Sequence, residues 1–214
     1  MLRGRDIKRY HAEWNKLWLI NTIPSLNINI DSYPVVKQYL LSFGKDRLEQ
    51  AGRNLSDGTK SRKKTSHQWF ELQDTCAYHA LFDQEKIVYP DITASPNFAL
   101  AKSGFYINQT AYLLNSGNKC LLGILNSKVT GFYVSRIAAD LGGEARRYIK
   151  QFIEKLPIPN FENSEISIEI ENKVNEVINT TPVYFSDELE RKINNLVYKL
   201  YQLSEDEIQI IETP

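Results

Sequence analysis

Apolar residues change their spacing along this chain. Before about residue 115 they come in short runs bounded by turn formers, and from Leu121 onward they recur every three or four positions, the spacing of helices. The first run, Trp14, Leu17, Trp18, Leu19 and Ile20, reads as a buried strand entering a core. Tyr33-Pro34 opens a helix, with proline in its first turn, Val36, Tyr39, Leu40 and Phe43 on one face, and Gly44 ending or bending it before a short continuation near Leu48. Short strands follow at Trp69–Leu72, Lys86–Tyr89, Phe98–Leu100, Gly104–Ile107 and Ala111–Leu114, the second closed by Pro90-Asp91 and the last by the turn Asn115-Ser116-Gly117-Asn118.

The helical half begins with one predicted helix from Leu121 to Ile137, carrying Leu121, Ile124, Leu125, Val129, Phe132, Tyr133 and Ile137. Gly142-Gly143 breaks the pattern, Arg146, Arg147 and Lys150 follow, and Pro157 and Pro159 stop any helix or central strand. Beyond them lie two or three helices. One carries Ile166, Ile170, Val174, Val177 and Ile178 and ends before Pro182. The next is capped by Ser186 and carries Leu189, Ile193, Leu196, Val197, Leu200 and Leu203. Ser204 to Glu207 matches a capping box for a third. The resulting expectation is a mixed α/β (α+β) chain: a β-rich domain over 1–159 and a helical C-terminal appendage over 160–214 packed on it.

Charge sharpens that division. Residues 1–159 hold 22 Lys+Arg against 14 Asp+Glu, and residues 160–214 hold 4 against 12, so a formally neutral chain splits into +8 and −8. A basic body with an acidic tail fits a surface that binds a polyanion, although such asymmetry also arises by chance. The basic excess concentrates in the glycine-punctuated stretch Ala51–Gln68, where Arg53, Lys60, Arg62, Lys63 and Lys64 face only Asp57. Such a loop is either a plain surface loop or an arm that contacts phosphates and releases their counterions.

With 214 residues and 42% apolar composition, the chain can bury a real core and is not disordered. Cys76 and Cys120 lack CxxC spacing and read as reduced core residues; His11, His67 and His79 lack the partners of a metal site. The charged start and the absence of an apolar run near about 18 residues point to a soluble, cytoplasmic protein without a membrane span. No Walker loop, GxGxxG, HExxH or GxSxG motif is present. Pro90-Asp91 with Glu171-Asn172-Lys173 matches a metal-dependent nuclease pattern on paper, but the second half sits in an acidic helix where it is expected by chance. An amino-methyltransferase needs an Asn/Asp-Pro-Pro-aromatic tetrad to hold a flipped base, and the chain contains no Pro-Pro.

The order of several segments is more specific than any of these features. LRGRDIKRY at 2–10, YPVVKQYL at 33–40, WFEL at 69–72, KIVYPDI at 86–92, ILNS at 124–127, KQFIEKLPIP at 150–159 and LVYKLYQLSEDEI at 196–208 together resemble the C-terminal specificity domain of TaqI-like adenine-N6 DNA methyltransferases and of Eco57I-type restriction-modification enzymes. The resemblance implies a prokaryotic target recognition domain that reads duplex DNA, while a separate catalytic domain of the parent protein flips and methylates an adenine. S-adenosylmethionine, and Mg²⁺ if the parent also cleaves, would belong to that parent, with no cofactor in this chain. LRGRDIKRY lies inside the longer chains of that family, so a piece of a longer protein is expected. Loops in the family vary with the sequence read. The candidate DNA contacts therefore rest on charge and loop position: Arg53, Asn54, Lys60, Arg62, Lys63 and Lys64 in the first loop, Arg146 and Arg147 after the glycine pair, and Lys102, Asn108 and Gln109 beside short strands. Arg146 and Arg147 could equally form a solvated face or tail salt bridges. A half of a type I-like specificity subunit ranks second, and a nuclease using Asp91 and Glu171 third.

Overall fold

The computed structural model describes residues 1–162, 164–180 and 186–213. Contacts gather the chain into two compact units, one made of Met1–Trp18 with Ala80–Pro214 and the other of Leu19–His79. This division falls elsewhere than the charge boundary at Pro159.

At the centre of the first unit lies strand β3 (Lys86–Pro90). The strands before it are β1 (Ile7–Lys8) and β2 (His11–Ala12), which pair as a small hairpin, and β4 (Ile92–Thr93), β5 (Ala99–Ala101) and β6 (Ala111–Leu114) follow it. The sheet order is β5-β3-β6, all antiparallel, with Val88 opposite Ala99 on one side and Leu113 on the other. Every residue of β3 is buried, because its alternating side chains feed two cores. Ile87 and Tyr89 enter a large cluster with the helices, and Val88 enters a smaller one with Leu2, Ile7, Ala99, Ala101 and Ala111. Lys86 is also fully buried, and its Nζ donates to the carbonyls of Phe82 (3.0 Å), Gln84 (2.8 Å) and Lys102 (3.2 Å). All three ammonium donors are thus satisfied, as a buried cation requires.

The large core is completed by α3 (Lys119–Leu125), α4 (Lys128–Ile137), α6 (Glu165–Asn179) and α7 (Asp187–Leu200); the short α5 (Lys150–Ile153) precedes α6, α8 (Glu205–Glu212) follows α7, and α1 (Pro34–Leu41) and α2 (Lys45–Leu48) belong to the second unit. The tail helices contribute the stripes read from the sequence, including Ile170, Val174, Val177, Ile193 and Val197, all essentially unexposed. Ser186 caps α7 by accepting from the Leu189 amide, and Ser204 with Glu207 forms the capping box of α8. Gly123 is where α3 meets α6: a Cβ there would lie 2.6 Å from Ile170 Cγ2 and 3.1 Å from Val174 Cγ2. Pro182, where the first tail helix was expected to stop, lies outside the described residues; α6 ends at Asn179.

Four sequence expectations need correction. The run 14–20 is not a buried strand: Trp18 is 83% exposed, Trp14 packs edge-on against it at 4.9 Å, and Lys16 takes a left-handed φ of 55° that breaks extended backbone. Trp69–Leu72 forms turns, with the Glu71 amide donating to Gln68 O at 3.0 Å. Gly104–Ile107 is not a strand; Gly104 turns the chain at φ +83° and only Ile107 bridges to Leu2. The single helix over Leu121–Ile137 is two. Between α3 and α4, Asn126 donates to Phe98 O (2.9 Å) and accepts from Phe98 N–H (2.9 Å), while Ser127 caps α4. The apolar spacing is local, whereas strand pairing and the break at Asn126 depend on contacts with segments remote in sequence.

The second unit carries α1 (Pro34–Leu41) and α2 (Lys45–Leu48), joined by Gly44 at φ +87°. No residue of α1 is buried, and Tyr39 and Phe43 pack edge-on at 5.1 Å.

Candidate nucleic-acid interface

In the second unit the basic loop folds as an irregular hairpin. The Gly52 amide donates to Arg62 O (2.9 Å), the Ser61 amide to Arg53 O (3.0 Å) and the Leu55 amide to Thr59 O (2.8 Å), and Asn54 bridges to Lys60. Asp57 closes the tip by accepting from Thr59 Oγ1 (2.6 Å) and Thr59 N–H (2.9 Å), and these bonds hold its carboxyl below the usual carboxylate range. Gly58, at φ +81°, supplies the left-handed step.

Two of the predicted contact residues are tied to neighbours within the second unit. Arg62 donates to Trp69 O (3.2 Å) and Glu71 O (2.8 Å), and burial depresses its pKa. The half-exposed Arg53 pairs with Glu49 (3.0 Å) and Asp46 (3.6 Å). Buried Gln50 ties the base together by donating to Gln68 O (3.0 Å) and Glu71 O (2.8 Å). Asn54, Lys60, Lys63 and Lys64 stay exposed, and among the described residues none of the three lysines pairs with a carboxylate.

In the first unit, β7 (Arg146–Arg147) pairs with β4, Ile92 opposite Arg147 and Thr93 opposite Arg146. The preceding turn runs Gly142, Gly143, Glu144 at φ 88°, 59° and 65°. Such a turn is comfortable for glycine at its first two positions. Asp140 fixes it by accepting from Gly142 N–H (2.7 Å) and pairing with Arg146 (2.7 Å). The Arg146 bond, with the Gly142 amide second, holds the Asp140 carboxyl below its ordinary value. Arg147 lies 3.8 Å from Asp91 and is about half exposed.

Beside this ribbon opens a cleft of about 520 Å³ whose lining includes Arg9, Lys128, Phe132, Arg136, Arg146 and Tyr148. Arg9 pairs with Glu190 at 2.7 Å and donates to Asn126 O at 2.6 Å; Lys128 pairs with Glu212. Arg136 is exposed, its guanidinium 4.8 Å from the centroid of the Phe132 ring. Sequence reasoning missed Arg136, though the i, i+4 spacing from Phe132 on a helix was a legible signal.

The remaining candidates lie elsewhere in the first unit. Lys102 is exposed in the turn after β5, with its carbonyl held by Lys86. Asn108 builds a turn by accepting from Thr110 N–H (3.1 Å) and Oγ1 (2.7 Å). Asp91 sits by Arg147, whereas Glu171 sits on α6 by Cys120, whose thiol is pushed up to about 12 first by burial and then by that carboxylate. Among the described residues no group of three or more His, Cys, Asp or Glu is arranged to hold a metal, and no helix is long and apolar enough to cross a membrane.

The family profile of the TaqI-like C-terminal specificity domain matches residues 1–158. The type II methyltransferase M.BstVI of Geobacillus stearothermophilus is 26% identical over 212 residues, covering 97% of this chain and 34% of the relative. M.BanIII of Aneurinibacillus aneurinilyticus, also a type II methyltransferase, is 27% identical over 187 residues, covering 83% and 30%. The chain thus spans about a third of the length of these curated relatives. Among solved structures, the type IIL restriction-modification enzyme MmeI in complex with DNA matches with a TM-score of 0.48 and 14% identity, over 67% of this chain and 20% of that one.

Proposed function

The chain belongs to the TaqI-like C-terminal specificity domains, and from that premise we propose that it is the duplex-reading part of a type II restriction-modification protein, with no catalysis of its own. The observation that carries this reading is the hairpin of the second unit. It presents Lys60, Lys63 and Lys64 without carboxylate partners among the described residues, while Arg62 and Gln50 hold its base. Lysines placed so can fix register on phosphates, and exposed Asn54 and Arg147 offer donors for base edges on the same kind of short, glycine-turned ribbon. Methyl transfer from S-adenosylmethionine to an adenine belongs to a catalytic domain of the parent protein, consistent with type II methyltransferases as relatives and with a chain that has no Pro-Pro. The stripes of α6 and α7 are turned into their own core, so they are not free to act as the spacers of a type I subunit.

The test is selection from duplexes with a randomised centre at low salt. The expected result is enrichment of one short sequence; retention of the whole pool without enrichment contradicts a specificity role.

A further inference from the structure

We infer that Arg136 is a specificity-determining residue that reads a guanine through its O6 and N7 atoms, held for that purpose by Phe132; the inference rests on the DNA-reading assignment above. The cleft beside the β4–β7 ribbon is lined by four cations, and three of them have intramolecular carboxylate partners. Arg9 is held by Glu190, Lys128 by Glu212, and Arg146 by Asp140. Arg136 is the one cleft cation that, among the described residues, pairs with no carboxylate. Its guanidinium instead lies over the Phe132 ring at 4.8 Å.

That placement suits base reading better than phosphate binding. The contact with the ring leaves the guanidinium without a carboxylate to neutralise it, and its flat fork matches the two acceptors of guanine. The ring contact also restricts a side chain that would otherwise lose several rotors on binding. The platform is rigid, because α4 is anchored by buried Val129, Thr130 and Val134, and Ser127 Oγ caps its N-terminus. Gly131 and Pro96 form the cleft wall next to Phe132, and a Cβ on Gly131 would already touch the Pro96 ring at 3.4 Å. A helix C-terminus favours any cation at this position, but lysine would serve that purpose equally. The planar two-donor fork is what distinguishes arginine.

The test uses the whole chain with the duplex enriched by selection, comparing Arg136→Ala, Arg136→Lys and Phe132→Leu. Arg136→Ala and Arg136→Lys should each weaken binding roughly 10- to 100-fold. Both should relax selection at a single guanine while leaving the salt dependence of binding at other sequences unchanged. Phe132→Leu should show a smaller loss at the same guanine. Two results overturn the inference: unchanged selectivity in Arg136→Ala, or a uniform loss that Arg136→Lys restores together with a salt slope lower by about one in Arg136→Ala, the mark of a phosphate contact. If the unsubstituted chain enriches no sequence, the specificity reading itself fails, a result separable from either of these. Arg136 is exposed and Phe132 only half-buried, so circular dichroism should find all three variants folded.

Discussion

Asn126 shows how much one side chain can organise. It is 1% exposed, and its amide satisfies both backbone groups of Phe98 while also donating to Leu122 O at 3.2 Å, which ends α3 and docks the helix pair against the sheet. Replacing it with leucine leaves the buried Phe98 N–H unpaired, while the Phe98 carbonyl keeps only the bond from the Tyr10 amide (2.8 Å), so Asn126→Leu should cost about 1–3 kcal/mol in urea unfolding. A loss under about 0.5 kcal/mol would show that water or relaxation supplies the missing bonds. The ILNS segment was legible as a motif, but its reason was not, because Phe98 lies 28 residues away. Lys86 was illegible for the same reason. It reads as the polar end of a strand, yet it is buried because three carbonyls from two separated segments converge on it.

At the scale of elements, helices and their caps were the readable part. Caps and 3.6-residue stripes are local, so Ser186, Ser204 and the cores of α6 and α7 could be placed from spacing alone. Strand status depends on partners, and among the described residues no strand pairs with the apolar run at 14–20. The glycine turn before β7 carries its own pH signature. Asp140 is held below its unfolded value by Arg146 and the Gly142 amide, so its contribution to the turn is complete above about pH 4 and is lost as pH falls through the lower folded value. The Gly142 amide resonance should therefore titrate with a midpoint below that of an ordinary aspartate, and Asp140→Asn should abolish the titration. A midpoint at or above about 4 would contradict the pairing. The hairpin of the second unit was readable as basic, but not which of its cations would turn inward. Arg62 was singled out with Lys63 and Lys64, and packing makes it a brace, while Arg53 stays exposed and pairs with Glu49.

For the molecule as a whole, the sequence placed a charge boundary at Pro159, whereas contacts separate Leu19–His79 from the rest and merge the tail into the main core. Charge reports what faces solvent; the apolar stripes decide which segments fold together. Gly123→Ala tests that merger. The added methyl would meet Ile170 and Val174, so α3 and α6 must part, and unfolding should be easier by about 1–3 kcal/mol in a single transition of the first unit. If α6 and α7 instead melted apart from the sheet, they would be a separate appendage.

We propose that this chain holds duplex DNA through Lys60, Lys63 and Lys64, which pair with no carboxylate among the described residues. The most direct measurement is the salt dependence of duplex affinity for the unsubstituted chain and for the Lys60→Gln, Lys63→Gln, Lys64→Gln triple variant. Each phosphate contact contributes about 0.9 to the slope of log affinity against log salt, so the account predicts a slope shallower by about 2–3 in the triple variant, with stability unchanged. Equal slopes in the two proteins would contradict it.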